Sequence, residues 1–339
     1  MKVLILGGTG VISRAITENL LAGGYDVTHF NRGTKSVPFT KAVRLISGDR
    51  SKPGELEKAA GAEKFDAVID MICFNKKDAE ETIRAFRGKT GHIIITSSVA
   101  AYKRPYHSLP IREDAEELFT DPSFGYAFHK AELERFLWDL IGKEKLPVSI
   151  LRPSLTFGVG APNIGVLRQN YGVIERIRKG KPVVMFADGS CPWSFTFAED
   201  LAKAYAALLG NTRAYGQAFH ATSDELCRWE DLYLEFGRLA GAEPKIIHIS
   251  SELLMKAAPN LCAHLYYEKT FPGIFDNTKI RCAAPSFKTT ISLRQGCKTL
   301  FDWWEKEARA VDPEKDKLED DLARAYEKFA ESVTNIYTK

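Results

Sequence analysis

Short apolar runs alternate with amphipathic stretches along the first half of this chain. The runs at residues 2–6, 26–30, 43–46, 67–70, 92–96 and 148–151 have the length and β-branched content of buried strands. Between them, residues 13–22, 77–86 and 126–141 carry apolar side chains at helical spacing, and Gly23-Gly24 stops the first of these helices. Strand–helix alternation of this kind predicts a parallel sheet flanked by helices. Past Arg152 the alternation weakens. Residues 161–195 and 221–275 read as insertions, and residues 195–209 read as a strand end and a helix returning to the sheet. A last segment, 316–333, places Leu318, Leu322, Ala325, Phe329 and Val333 at helical spacing. Packing on its own domain and binding a partner are both open for that helix. The expected organisation is an α/β sheet domain over residues 1–165, rejoined by 195–220. Residues 166–194 and 221–310 form a smaller lobe, and 311–339 a C-terminal amphipathic helix.

Composition adds limits. With 339 residues, 45% hydrophobic and 27% charged, the chain can bury a sizeable core. A net charge of +3 is too small to argue for nucleic acid. No run reaches the ~18 apolar residues of a membrane helix. Met1-Lys2 leads straight into a strand without a basic head and cleavage site, so a cytoplasmic protein is expected. Six cysteines stand without a CxxC pair or a histidine cluster, which reads as reduced thiols and no metal.

Gly7-Gly8-Thr9-Gly10-Val11-Ile12-Ser13 lies between the first strand and the first helix, where a dinucleotide-binding turn belongs. Glycines at 8 and 10 let backbone N–H groups approach a pyrophosphate at the positive end of the helix. The third glycine position holds Ser13, a departure from the strict pattern. After the second strand an NAD enzyme offers a carboxylate to the ribose, whereas this chain has Asn31-Arg32-Gly33. Arg32 can grip a 2′-phosphate with paired donors. NADP(H) is thus favoured over NAD(H); a solvated Arg32 beside an NAD(H) ribose is the other reading. Asp49 is read as an acceptor for the adenine amino group or as a plain turn aspartate. Arg50 and Met71 complete the expected cofactor-contacting set.

The chemical candidates follow the fifth strand, which ends in Thr96-Ser97-Ser98. Tyr126 and Lys130 sit one helical turn apart on one face of the next helix. In a chain with 12 tyrosines that spacing arises by chance about once, so the position carries the weight. A phenol titrates near ~10, and serving as a base near neutrality requires about 4 kcal/mol of help. A neighbouring ammonium supplies part of it by favouring the phenolate. Ser98 would orient a substrate hydroxyl or carbonyl.

With those motifs, the chain resembles the extended short-chain dehydrogenase/reductase superfamily, which includes sugar-nucleotide epimerases and dehydratases. The matching features are GGTGVIS, Gly48-Asp49, Thr96-Ser97-Ser98 with Tyr102, Tyr126/Lys130, Leu151-Arg152-Pro153, Asp188-Gly189, Glu199-Asp200 and Phe275-Asp276-Asn277-Thr278-Lys279. The resemblance implies a Rossmann, doubly wound parallel sheet with a smaller C-terminal substrate lobe, and places Pro153 and Ser154 beside a nicotinamide. Asn31-Arg32-Gly33 and the stretch 191–196 resemble a closer branch of bacterial epimerase/dehydratase-like proteins and chloroplast stem-loop RNA-binding proteins.

Departures narrow the reaction. Dehydratases of the superfamily follow the active Ser/Thr with Asp-Glu; here Val99-Ala100 follows Ser98, so sugar 4,6-dehydration is not expected. Where sugar-nucleotide epimerases hold a diphosphate with arginine, this chain has Trp193, able to stack on a substrate or to pack a core. Ser97 and Asn163 are further substrate-binding candidates. The expectation is an NAD(P)-dependent oxidoreductase or epimerase acting by hydride transfer on a small polar or sugar-like substrate, and working as a homodimer without membrane or nucleic-acid partners. The rival reading is an RNA-binding protein on the same scaffold, with Arg176, Arg178, Lys179 and Lys181 as its footprint.

Overall fold

The computed structural model describes residues 1–160, 163–307, 309–334 and 336. The chain forms two compact units. The first comprises Met1–Thr156, Ser194–Asp224 and Ile274–Ile291, and the second comprises Phe157–Trp193, Glu225–Gly273 and the residues from Ser292 onward.

In the first unit, β1 (Lys2–Leu6), α1 (Val11–Ala22), β2 (Asp26–Asn31), β3 (Arg44–Ser47), α2 (Glu55–Ala62), β4 (Ala67–Asp70), α3 (Lys76–Phe86), β5 (His92–Thr96), α4 (Gly125–Glu144) and β6 (Val148–Arg152) succeed one another. An edge strand, Gln217–His220, completes a seven-stranded sheet in the order edge strand, β6, β5, β4, β1, β2, β3. Every pairing in it is parallel. Both faces are covered, so the strands read as continuous apolar runs. Alternation decides which side chain serves which face. Val3 and Ile5 pack with α1 and the helix Ala198–Leu208, while Leu4 and Leu6 pack with α2, α3 and α4. This is an α/β fold built on a doubly wound parallel sheet.

The second unit holds two small sheets, a parallel pair (Pro182–Phe186 with Lys245–Ile249) and an antiparallel pair (Pro192–Trp193 with Cys227–Arg228). Its last helix, Pro313–Thr334, packs on the strand Pro182–Phe186. The inward side chains of that helix include Glu319 and Ala323, while Phe329 and Val333 are exposed. The apolar spacing of the sequence therefore misjudges its buried face. Glu319 turns inward because three donors meet it: Val184 N–H at 2.7 Å, Gln169 Nε2 at 2.8 Å and the Arg176 guanidinium at 3.1 Å. Residues 335 and 337–339 of the expected C-terminal segment lie outside the described residues.

Candidate active site

The strand order reverses direction between β1 and β4, and ligands of doubly wound sheets bind in the crevice at the carboxyl ends flanking that switch. The turn after β1 is shaped for close backbone approach. Gly7 and Gly8 have φ of 110° and 95°, a region open mainly to glycine. A Cβ on Gly8 would stand 2.4 Å from the His29 imidazole beneath it. Gly7 donates its N–H to Phe30 O at 2.9 Å, and Asn31 Nδ2 donates to Gly7 O at 2.9 Å, so the turn is tied to the end of β2. Gly10 caps α1. Ser13 explains its own departure from the glycine pattern: it is buried, and its hydroxyl accepts from Gly10 N–H at 2.9 Å, closing the first turn. The N–H groups of Val11 and Ile12, with Thr9 just before them, stand at the amino end of α1, where a helix has no internal acceptors.

A cleft of about 430 Å³ opens beside this turn, lined among others by Gly7, Thr9, Asn31, Arg32, Asp49 and Phe74. A second cavity of about 350 Å³ adjoins it, with Arg32, Ser47, Asp49 and Lys52 in its wall. Arg32 and Lys35 are exposed and make no hydrogen bond or ion pair among the described residues. Asp49 is held below the usual carboxylate range by hydrogen bonds from Ser51 Oγ and N–H, at 2.8 and 3.0 Å, with Arg32 and Lys52 adding attraction. Arg50 differs from a free cofactor-gripping cation. Its Nη1 reaches both Asp70 oxygens at 3.0 Å and Ile72 O at 2.9 Å, and its Nη2 reaches Asp78 O at 2.7 Å. Arg50 thus pins the loop between β4 and α3 and also lines the cleft. Met71 Sδ accepts from Thr96 Oγ1 at 3.1 Å.

At the end of β5, Ser98 is half-buried, and its Oγ accepts from Ala100 N–H at 3.1 Å. Tyr126 opens α4 with 47% of its surface exposed. One turn further, Lys130 is buried, and its Nζ donates to Cys73 O at 2.6 Å and Thr96 O at 2.8 Å. Burial pulls this ammonium below its usual range, while the nearby Cys73 and the carboxylates of Asp70, Glu134 and Asp78 oppose the shift. The Phe74 ring centre lies 5.2 Å from Nζ. Two backbone carbonyls, one in the loop after β4 and one at the end of β5, therefore hold the Lys130 ammonium one helical turn along α4 from Tyr126.

Ser97, read from the sequence as a substrate contact, instead serves the interior. Its Oγ donates to Glu134 Oε1 at 2.5 Å, and Glu134 is gripped by Arg152 through Nε at 3.0 Å and Nη2 at 2.5 Å. Arg152 Nη1 continues to Tyr102 OH at 2.6 Å, which in turn meets His220 Nε2 at 2.6 Å. Glu134 lies four residues after Lys130 on the same face, a spacing that was visible in the sequence and not singled out. Pro153 accepts Val99 N–H at 3.1 Å, and Ser154 Oγ donates to Ser194 O at 2.9 Å.

The other two substrate candidates belong to the second unit. Asn163 is exposed there. Trp193 is a packing residue: it is fully buried, with Lys269 Nζ 4.2 Å from its ring and Trp229 6.0 Å away. A Cβ on Gly273 would come within 2.4 Å of the indole. The basic run also has internal duties. Arg176 is buried and paired with Asp316 and Asp320, Arg178 with Glu305, Lys179 with Glu175, and Lys181 with Asp316 and Asp320. As a footprint for RNA that run is largely neutralised.

The NAD dependent epimerase/dehydratase family pattern matches residues 3–220. The 2′-dehydrokanamycin reductase of Streptomyces kanamyceticus is 28% identical over 233 residues, 69% of this chain and 65% of that protein. The chloroplast stem-loop binding protein of 41 kDa b of Arabidopsis thaliana is 26% identical over 268 residues, 73% of this chain and again 65% of that protein. The chain thus spans just under two thirds of each of these relatives. Among solved structures, a UDP-glucuronic acid 4-epimerase from Bacillus cereus in complex with NAD superposes with a TM-score of 0.71 at 18% identity, covering 91% of this chain and 99% of that one. A dTDP-glucose 4,6-dehydratase from Bacillus anthracis in complex with NAD gives 0.75 at 14% identity, covering 92% and 99%.

Proposed function

The chain belongs to the NAD dependent epimerase/dehydratase family, and on that premise we propose that it is an NADP(H)-dependent oxidoreductase or epimerase. Its substrate is a small polar or sugar-like molecule reacting at a hydroxyl- or carbonyl-bearing carbon. The observation that carries this is the pairing of exposed Tyr126 with buried, carbonyl-fixed Lys130 on one face of α4.

The cleft suits a dinucleotide: a glycine turn without room for a Cβ at Gly8, a helix amino end, and unpaired basic side chains beyond β2. When bound, the nicotinamide supplies or accepts a hydride. Tyr126 Oη gives or takes the proton at the substrate oxygen, Lys130 favours the phenolate, and Ser98 Oγ holds the same oxygen in line. Arg32, with Lys35 and Lys52 nearby, favours a 2′-phosphate, because β2 ends in Asn31 where a ribose-binding carboxylate would stand. Val99 and Ala100 are buried and apolar, so the positions after Ser98 offer no acid–base pair for eliminating water.

The test is a screen of carbonyl and sugar substrates, followed by nicotinamide absorbance and by product stereochemistry, with Tyr126→Phe and Lys130→Met alongside. Tyr126→Phe lowers turnover by about 10²–10⁴-fold while dinucleotide binding persists. Full activity in Tyr126→Phe would remove the phenol from the chemistry.

A further inference from the structure

Phe74 is an exposed aromatic in the cleft beside the glycine turn. It keeps 53% of its surface in solvent, in the loop between β4 and α3. Its backbone has little freedom to withdraw the ring. The Phe74 N–H donates to Asp78 Oδ2 at 2.7 Å, Asn75 Oδ1 caps α3 by accepting from Asp78 N–H at 3.0 Å, and Arg50 holds Asp78 O at 2.7 Å. A rigid loop therefore presents a large apolar surface to water, an arrangement that a ligand covering the ring would reward.

The ring faces two things at once. It lines the same cleft as Gly7, Thr9 and Arg32, and its centre lies 5.2 Å from Lys130 Nζ. That ammonium already gives N–H bonds to Cys73 O and Thr96 O. An aromatic face at this distance attracts a cation and keeps water from it.

We propose that Phe74 is a dinucleotide-contacting residue that also screens the Lys130 ammonium from water, so that cofactor binding and the setting of the proton-transfer pair share one side chain. The first half rests on the dinucleotide reading above; the second does not. Phe74 acts on Lys130 together with Asp70, Asp78 and Glu134, the carboxylates that face it from β4, α3 and α4.

The experiment compares wild type with Phe74→Ala, Phe74→Leu and Phe74→Tyr, all checked for native circular dichroism. NADPH affinity is read by calorimetry. In the cofactor-free protein, the rate of reductive methylation at Lys130 is read by peptide mass spectrometry at one fixed pH. Phe74→Ala should weaken NADPH about tenfold, the size expected for losing an aromatic contact, and should speed Lys130 methylation severalfold. Phe74→Tyr should match wild type in both, and Phe74→Leu should fall between. Affinity within about twofold of wild type in Phe74→Ala overturns the contact. Unchanged methylation overturns the screening. If wild type binds no dinucleotide, the cofactor reading fails by itself, and the methylation arm still decides the relation of Phe74 to Lys130.

Discussion

Glu134→Ala removes the anion from a fully buried ion pair. Glu134 has no exposed surface and Arg152 only 2%, and their contacts run from 2.5 to 3.1 Å. Once the carboxylate is gone, Arg152 keeps Tyr102 OH at 2.6 Å and Glu113 O at 3.1 Å, neither of which carries the balancing charge. Ser97 Oγ also loses its acceptor. Removing one partner of such a pair costs about 3–5 kcal/mol, whereas replacing both by apolar side chains is often close to neutral. The expected stability loss is thus about 3 kcal/mol or more for Glu134→Ala, similar for Arg152→Met, and much smaller for Glu134→Leu/Arg152→Met together. Native-state hydrogen exchange at β5, which ends just before Ser97, and at β6, which ends in Arg152, reads the opening free energy of this unit directly. A strong positive coupling in the double-mutant cycle is the predicted result. Single variants that each cost under about 1 kcal/mol, and that add up in the double variant, would refute the claim that this pair ties α4 to the sheet.

Two further outcomes follow from other buried groups. His29, His92 and His220 are held neutral by burial, with pKa values lowered to about 4, about 4 and about 3. The unfolded chain takes up these protons near ~6.5, so stability is complete above that pH and falls as pH drops from there toward 4, by about 1.4 kcal/mol per pH unit for each histidine. Urea midpoints measured at several pH values check this, and a midpoint at pH ~5 equal to that at pH ~7.5 contradicts it. Ser13→Ala deletes the hydroxyl that closes the first turn of α1 and should cost about 1 kcal/mol in chemical denaturation; an unchanged midpoint would mean the bond contributes nothing.

Much of the sheet, and the placement of the candidate chemical residues on it, was legible because the signals are local. Strand periodicity, the turn from Gly7 to Gly10, and the spacing of Tyr126 and Lys130 all lie within a few residues of one another. Roles fixed by distant partners were not legible. Ser97 is claimed by Glu134 37 residues away, Arg50 by Asp70 and Asp78, and Arg176 by the acidic start of the last helix, more than a hundred residues on. A basic run looks like a solvated or RNA-binding face until its counter-ions are located. The helix Glu55–Ala62 stayed hidden for another reason: it is short and contains Gly61, so its pattern is weak. Lys130 shows a third limit, since its ammonium is positioned by backbone carbonyls, which leave no trace in side-chain identity.

The central claim, a dinucleotide-dependent hydride-transfer site with a 2′-phosphate grip at Arg32, is tested most directly by titrating purified protein with NADPH, NADH, NADP⁺ and NAD⁺, with Arg32→Ala in parallel. The account predicts saturable binding with a clear preference for the phosphorylated forms, and loss of that preference, with NADH affinity retained, in Arg32→Ala. Equal affinity for NADPH and NADH in wild type would remove Arg32 from cofactor choice, and the absence of binding by any dinucleotide would contradict the account itself.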